Sequence, residues 1–214
     1  ASTVSKKCNI DFVWVAHPAM QRRLDMSSNA TVDQEITNRL MPKFNSLYEL
    51  GVREFGIFMD DITIGEGLQQ RYTQPYLIDQ VQRRLYETYN TPDAAEEDKV
   101  KPLFYTPTWY TYGLGYADMQ NQCMEAFKQS NVHEDVVICF TGDAVCGPIN
   151  NSSCENFATR TGRKPCIWWN YPVNDYADAQ LFTDRIDANF TVGTDSHNAV
   201  NNILAAKGYT VENT

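Results

Sequence analysis

Two carboxylates stand side by side at Asp60 and Asp61, directly after the run Glu54-Phe55-Gly56-Ile57-Phe58-Met59. Neighbouring acids delivered by an apolar segment can serve proton transfer or the ligation of a hard cation. Against both stands the plainer role of turning the chain or capping the next helix. Adjacent residues of a strand point to opposite faces, so the two acids can share a ligand only if the backbone leaves regular strand geometry there. A second polar array lies about a hundred residues on, in Cys166-Ile167-Trp168-Trp169-Asn170-Tyr171-Pro172-Val173-Asn174-Asp175-Tyr176, where an apolar run again ends in aromatic, amide and carboxylate groups.

The segments that must carry these groups read as alternating strands and helices. The run Phe55 to Met59 lacks polar alternation, which predicts a strand covered on both faces, as in a parallel sheet wrapped by helices. A first strand is predicted over residues 10–16, stopped by His17-Pro18. Apolar residues at Ile36, Leu40, Phe44, Leu47 and Leu50 recur at helical spacing and end at Gly51, with Pro42 marking a kink or split. Further helices are predicted near 75–89, 117–129 and 154–161, with a weaker one near 177–182 and a last one near 196–207. Strands are predicted at 102–106, 136–140, through Trp169, and at 190–192. This makes six strand–helix units, with polar residues gathered after the strands, where parallel α/β sheets bind ligands. No glycine-rich phosphate fingerprint follows any strand, which favours a barrel over a nucleotide-binding sheet. The expected fold is therefore α/β and (β/α)8 TIM-barrel-like, with about six of eight units, in a single partial domain over 1–214.

Composition excludes several functions. Twenty-seven acidic against eighteen basic residues, a net charge of −9, leave no basic stripe to neutralise phosphates, so a nucleic-acid partner is not expected. No apolar run approaches the roughly 18 residues of a membrane span. The start at Ala1 rather than Met is expected of a chain whose upstream part has been removed. Six cysteines, Cys8, Cys123, Cys139, Cys146, Cys154 and Cys166, lack the paired spacing of a zinc site and predict disulfides in an oxidising compartment, with buried thiols as the alternative. Sequons at Asn29, Asn150, Asn151 and Asn189 permit glycosylation, and a secreted or extracellular location is expected. His17, His133 and His197 are scattered and read as surface or strand-end residues. No cofactor and no metal is expected.

Phe58-Met59-Asp60-Asp61-Ile62 together with Trp168-Trp169-Asn170-Tyr171-Pro172-Val173-Asn174-Asp175-Tyr176 resembles the family 84 glycoside hydrolases, β-N-acetylglucosaminidases that include O-GlcNAcase and hyaluronidase-like enzymes. The likeness extends through Phe12 to Pro18, Leu47 to Arg53, Thr106-Pro107-Thr108-Trp109-Tyr110 and Phe140-Thr141-Gly142. It implies hydrolysis assisted by the substrate, whose own 2-acetamido oxygen attacks the anomeric carbon to form an oxazoline, an exception to the usual carboxylate nucleophile. By that resemblance Asp60 orients and stabilises the acetamido group, and Asp61 is general acid and then base. Tyr110, Thr141 and Trp168 line the acetamido pocket, and Asn170 and Asp175 hold the sugar. The sequence departs from the family where its first two strands have no counterpart before Ile10. Gly193 stands where a sugar-binding asparagine is expected, and Phe140 replaces a tryptophan. The resemblance therefore implies removal of terminal β-linked N-acetylglucosamine from glycans or glycoproteins. The alternative is a truncated, inactive carbohydrate-binding relative, and a third reading makes Asp60, Asp61 and Asp175 cation ligands.

Overall fold

A computed structural model describes residues 12–20, 23–145 and 151–167. The described residues fall into two compact units, one from residues 12–110 and 116–139 and the other from residues 111–115 and 140–167. In the first unit, strand β1 (Val13–Ala16) leads to helix α1 (Asn29–Glu35), a π-helical turn (Ile36–Leu40) and helix α2 (Met41–Glu49). Strand β2 (Glu54–Phe58) is followed by the short helix α3 (Ile64–Gln69) and the long helix α4 (Thr73–Tyr89). Strand β3 (Phe104–Thr106), helix α5 (Ala117–Gln129) and strand β4 (Val137–Phe140), whose last residue belongs to the second unit, complete the alternation. The predicted split at Pro42 is real. Lacking an amide hydrogen and crowding the carbonyl one turn back, Pro42 sits in the first turn of α2, and the π turn before it absorbs the lost hydrogen bond.

The strands pair in parallel and in chain order: Ala16 lies beside Ile57, Phe58 beside Thr106, and Tyr105 beside Ile138. Each new strand joins on the same side, without the reversal of a doubly wound sheet, so the winding is that of a barrel. The two faces differ. Ala16, Phe55, Ile57, Tyr105 and Ile138 are buried against helices, with Phe55 packed 4.9 Å from Phe44 of α2 and Tyr105 6.3 Å from Phe127 of α5. On the other face Val13, Val15, Phe58, Phe104 and Val137 are half-buried. Gly56 lies on that face, where an added Cβ would sit 3.2 Å from Val15 and 3.4 Å from Phe104. This face, of valines and phenylalanines interleaved with a glycine, is the one that a barrel turns toward its axis.

The second unit holds helix α6 (Asn151–Thr161) and strand β5 (Cys166–Ile167). Its aromatic core stacks Phe140 4.6 Å from Phe157 and 5.1 Å from Tyr112. The predicted helices near 177–182 and 196–207 and the strand at 190–192 lie outside the described residues. Among the described residues, no helix is long and apolar enough to cross a membrane. Cys123 and Cys154 are thiols, each pushed up to about 11, chiefly by burial, and no disulfide occurs among the described residues.

Candidate active site

One acid stands at the entry of β2 and another two residues past its exit, and the contrast between them locates the site. Glu54, at the entry, is buried and satisfied by Lys101 at 2.5 Å. Asp60, at the exit, keeps its Oδ1 buried with no hydrogen-bond partner. An unpaired buried carboxylate oxygen costs stability and is retained where a structure has another use for it.

The backbone leaves strand geometry after Phe58 and turns through Asp60 to Ile62. This is the departure that two adjacent acids need in order to face one ligand. The turn is held from both sides. On one, the Met59 amide donates to the Thr106 carbonyl at 2.8 Å. On the other, Thr63 caps α3: its hydroxyl accepts from the Glu66 amide at 3.2 Å, and the Glu66 carboxylate reaches back to the Thr63 amide. Because Thr63 does the capping, Asp60 and Asp61 are left for other work. Beneath them runs a buried relay in which the Tyr105 hydroxyl donates to Gln74 Oε1 at 3.0 Å and Gln74 Nε2 donates to Thr108 Oγ1 at 3.1 Å. The Thr108 hydroxyl in turn donates to the Met59 carbonyl at 3.0 Å. The relay fixes the peptide immediately before Asp60.

The two carboxylates converge. Asp60 Oδ1 and Asp61 Oδ2 each lie 3.7 Å from the same atom, Nε2 of His17 at the exit of β1. Their environments differ sharply: the Asp60 side chain is 22% exposed and that of Asp61 67%. Burial, reinforced by the charge of Asp61, raises the Asp60 pKa above the ordinary carboxylate value, and a hydrogen bond from its own backbone and, less strongly, His17 oppose the rise. One acid is thus set in a dry position and its neighbour in a wet one, the separation of environments that lets two like groups play different protonic roles.

Tyr110 lies beyond the exit of β3, its amide bonded to the Pro107 carbonyl at 3.1 Å. Thr141, in the second unit, follows β4 and is buried, its hydroxyl donating to the Ala144 carbonyl at 2.8 Å. In the same loop Asp143 accepts a hydrogen bond from Ser153 of α6 at 2.5 Å. Trp168, Asn170 and Asp175 lie outside the described residues. Among the described residues, no group of three or more His, Cys, Asp or Glu is arranged to hold a metal ion. His17 is the site residue that sequence reasoning passed over. Its signal was its place at the exit of the strand that pairs with β2, since strand exits gather on one edge of a parallel sheet.

The family described as NAGidase, beta-N-acetylglucosaminidase, matches residues 2–205. Among solved structures, "Structure of CpGH84D" superposes with a TM-score of 0.64 at 26% identity, covering 81% of this chain and 26% of that one. "Structure of CpGH84B" superposes with a TM-score of 0.56 at 25% identity, covering 82% of this chain and 29% of that one. This chain therefore spans less than a third of the length of either protein.

Proposed function

The chain belongs to the β-N-acetylglucosaminidase family, and from that premise we propose that its acid pair removes terminal β-linked N-acetylglucosamine from glycans or glycoproteins by substrate-assisted, retaining hydrolysis. In the first step the acetamido oxygen of the sugar bonds to the anomeric carbon as the bond to the leaving oxygen breaks. Asp61 passes its proton to that oxygen, and Asp60 accepts the acetamido N–H, countering the positive charge that builds on the nascent oxazoline. In the second step water adds to the anomeric carbon, Asp61 takes its proton, and the acetamide is regenerated with the anomeric configuration retained. The observation that carries this reading is the convergence of Asp60 and Asp61 on one point at 3.7 Å, with neither spent on capping a helix.

Tyr110, Thr141 and Trp168 fit this reading as the acetamido pocket, and Asn170 and Asp175 as the groups that grip sugar hydroxyls. A secreted or extracellular setting is part of the same proposal. The wet position of Asp61 suits an acid that must exchange protons with both leaving group and water, and a bound sugar would cover it.

Release of the chromophore from an aryl β-N-acetylglucosaminide tests the proposal. Activity above background that falls by about 10²–10⁴-fold in Asp61→Asn is expected. One observation favours a second reading, a carbohydrate-binding relative without turnover: the buried Asp60, whose role requires ionisation, is the acid that burial pushes toward the protonated form. No release from wild type, with N-acetylglucosamine binding lost in Asp175→Ala, would establish that reading instead.

A further inference from the structure

The same observation poses a problem for the chemistry. Substrate assistance needs Asp60 ionised and Asp61 protonated, yet Asp60 is the acid removed from water. Its own backbone hydrogen bond favours the charge on the buried member of the pair, and a neighbouring cation would favour it further. Among the described residues, the charged groups that act on Asp60 are Asp61, which opposes its ionisation, and His17, which promotes it. Arg23, further along the segment after β1, is engaged with Glu66 at 2.6 Å. Glu66 itself belongs to the cap of α3.

His17 is placed for this task. Its side chain is 23% exposed, but both ring nitrogens are buried and have no hydrogen-bond partner. A neutral imidazole unprotonated at Nε2 would turn a lone pair toward the two carboxylates. The charged ring instead meets two carboxylates at 3.7 Å. The distances are equal, but the effects are not. Charges interact more strongly through the poorly solvated surroundings of Asp60 than through the water around Asp61, so one imidazolium favours ionisation of the buried acid more than that of the exposed one.

We propose that His17 is a positioning residue of this site, the cation that holds Asp60 in its ionised form while Asp61 keeps the proton for the leaving group. The inference rests on the functional reading above and adds to it a residue that the motif pair does not contain. The working state is then neutral overall: imidazolium, one carboxylate and one carboxylic acid.

The test is a titration of the Asp60 side-chain carboxyl carbon by NMR in the full chain, comparing wild type with His17→Gln and His17→Lys. Loss of the cation in His17→Gln is expected to raise the proton affinity of Asp60 by about tenfold, the lower end of the effect of an opposite charge at this range. His17→Lys keeps a positive charge and is expected to hold Asp60 near its wild-type titration. An unchanged Asp60 in His17→Gln would overturn the proposal. So would an equal rise in both variants, which would mark lost packing rather than lost charge. In the pH profile of kcat/KM, the acid limb of His17→Gln should move up by about one unit and that of His17→Lys should not. A wild type that shows the NMR shift yet hydrolyses nothing would sink the glycosidase reading and leave the coupling of His17 to Asp60 standing.

Discussion

Asp60 carries a cost that can be measured without any substrate. Its pKa is raised in the folded protein, so the fold holds that proton more tightly than the unfolded chain does. The contribution to stability is therefore present below the ordinary carboxylate pKa and is lost as pH rises through the folded value. At neutral pH the ionised Asp60 opposes folding, so Asp60→Asn should raise the melting temperature at pH 7 while abolishing hydrolysis. At acid pH the two proteins should melt together. An Asp60→Asn that melts lower at both pH values would show the carboxylate to be structural. The thiols allow a second check at this scale. Cys123 is 1% exposed and its pKa is pushed up to about 11, so at pH 8 it should resist a thiol reagent until the chain unfolds. Rapid labelling of the native protein would contradict its burial.

The elements show what local sequence could reveal and what it could not. The acid-tipped strand β2, the long helix α4 and helix α5 were legible because their apolar residues recur at a clear period over many positions. Helix α3 was not legible. With Gly65 and Gly67 among only six residues, Ile64 to Gln69 lacks the period and the propensity of a helix, and tertiary packing makes it one. The signal that could have found it was the capping box of Thr63 and Glu66, three residues apart. Between α4 and β3, Asp98 pairs with Arg53 at 3.0 Å across a distance in sequence that no local pattern discloses. Gly67 is small for a reason: a Cβ there would come within 2.7 Å of Thr108 Cγ2 and 2.8 Å of its Cβ. The hydroxyl of Thr108 is committed to Met59, so it cannot turn away freely. Gly67→Ala should therefore cost about 1–3 kcal/mol in denaturant unfolding. Thr108→Val leaves the Met59 carbonyl and Gln74 without their shared partner, and should cost about 1–3 kcal/mol. It should also lower kcat more than it raises KM, since it loosens the peptide before Asp60. If Thr108→Val matches wild type in both, the relay has no part in placing the acids.

At the scale of the whole chain, the class of fold was readable because parallel strands in chain order leave a regular succession of strand, polar exit and helix. The gathering of exit residues follows from that class. It explains how His17, Asp60 and Asp61 meet although 43 residues separate the histidine from the first acid. What could not be read was which exit residue would be drawn inward, since the orientation of His17 depends on the register of β1 against β2. Family membership covers nearly the full chain, while the chain covers 26% and 29% of the two superposed proteins. The proposed chemistry sits at one edge of one sheet, where the sugar would attack its own anomeric carbon and two acids on a shared turn would manage the protons. A series of aryl N-acylglucosaminides in which fluorine successively replaces hydrogen on the acetyl methyl group measures this most directly, because each fluorine weakens the carbonyl oxygen as a nucleophile while hardly altering its size. The account predicts that kcat/KM falls steeply and progressively across the series. A rate indifferent to fluorination would place the nucleophile on the protein and contradict it.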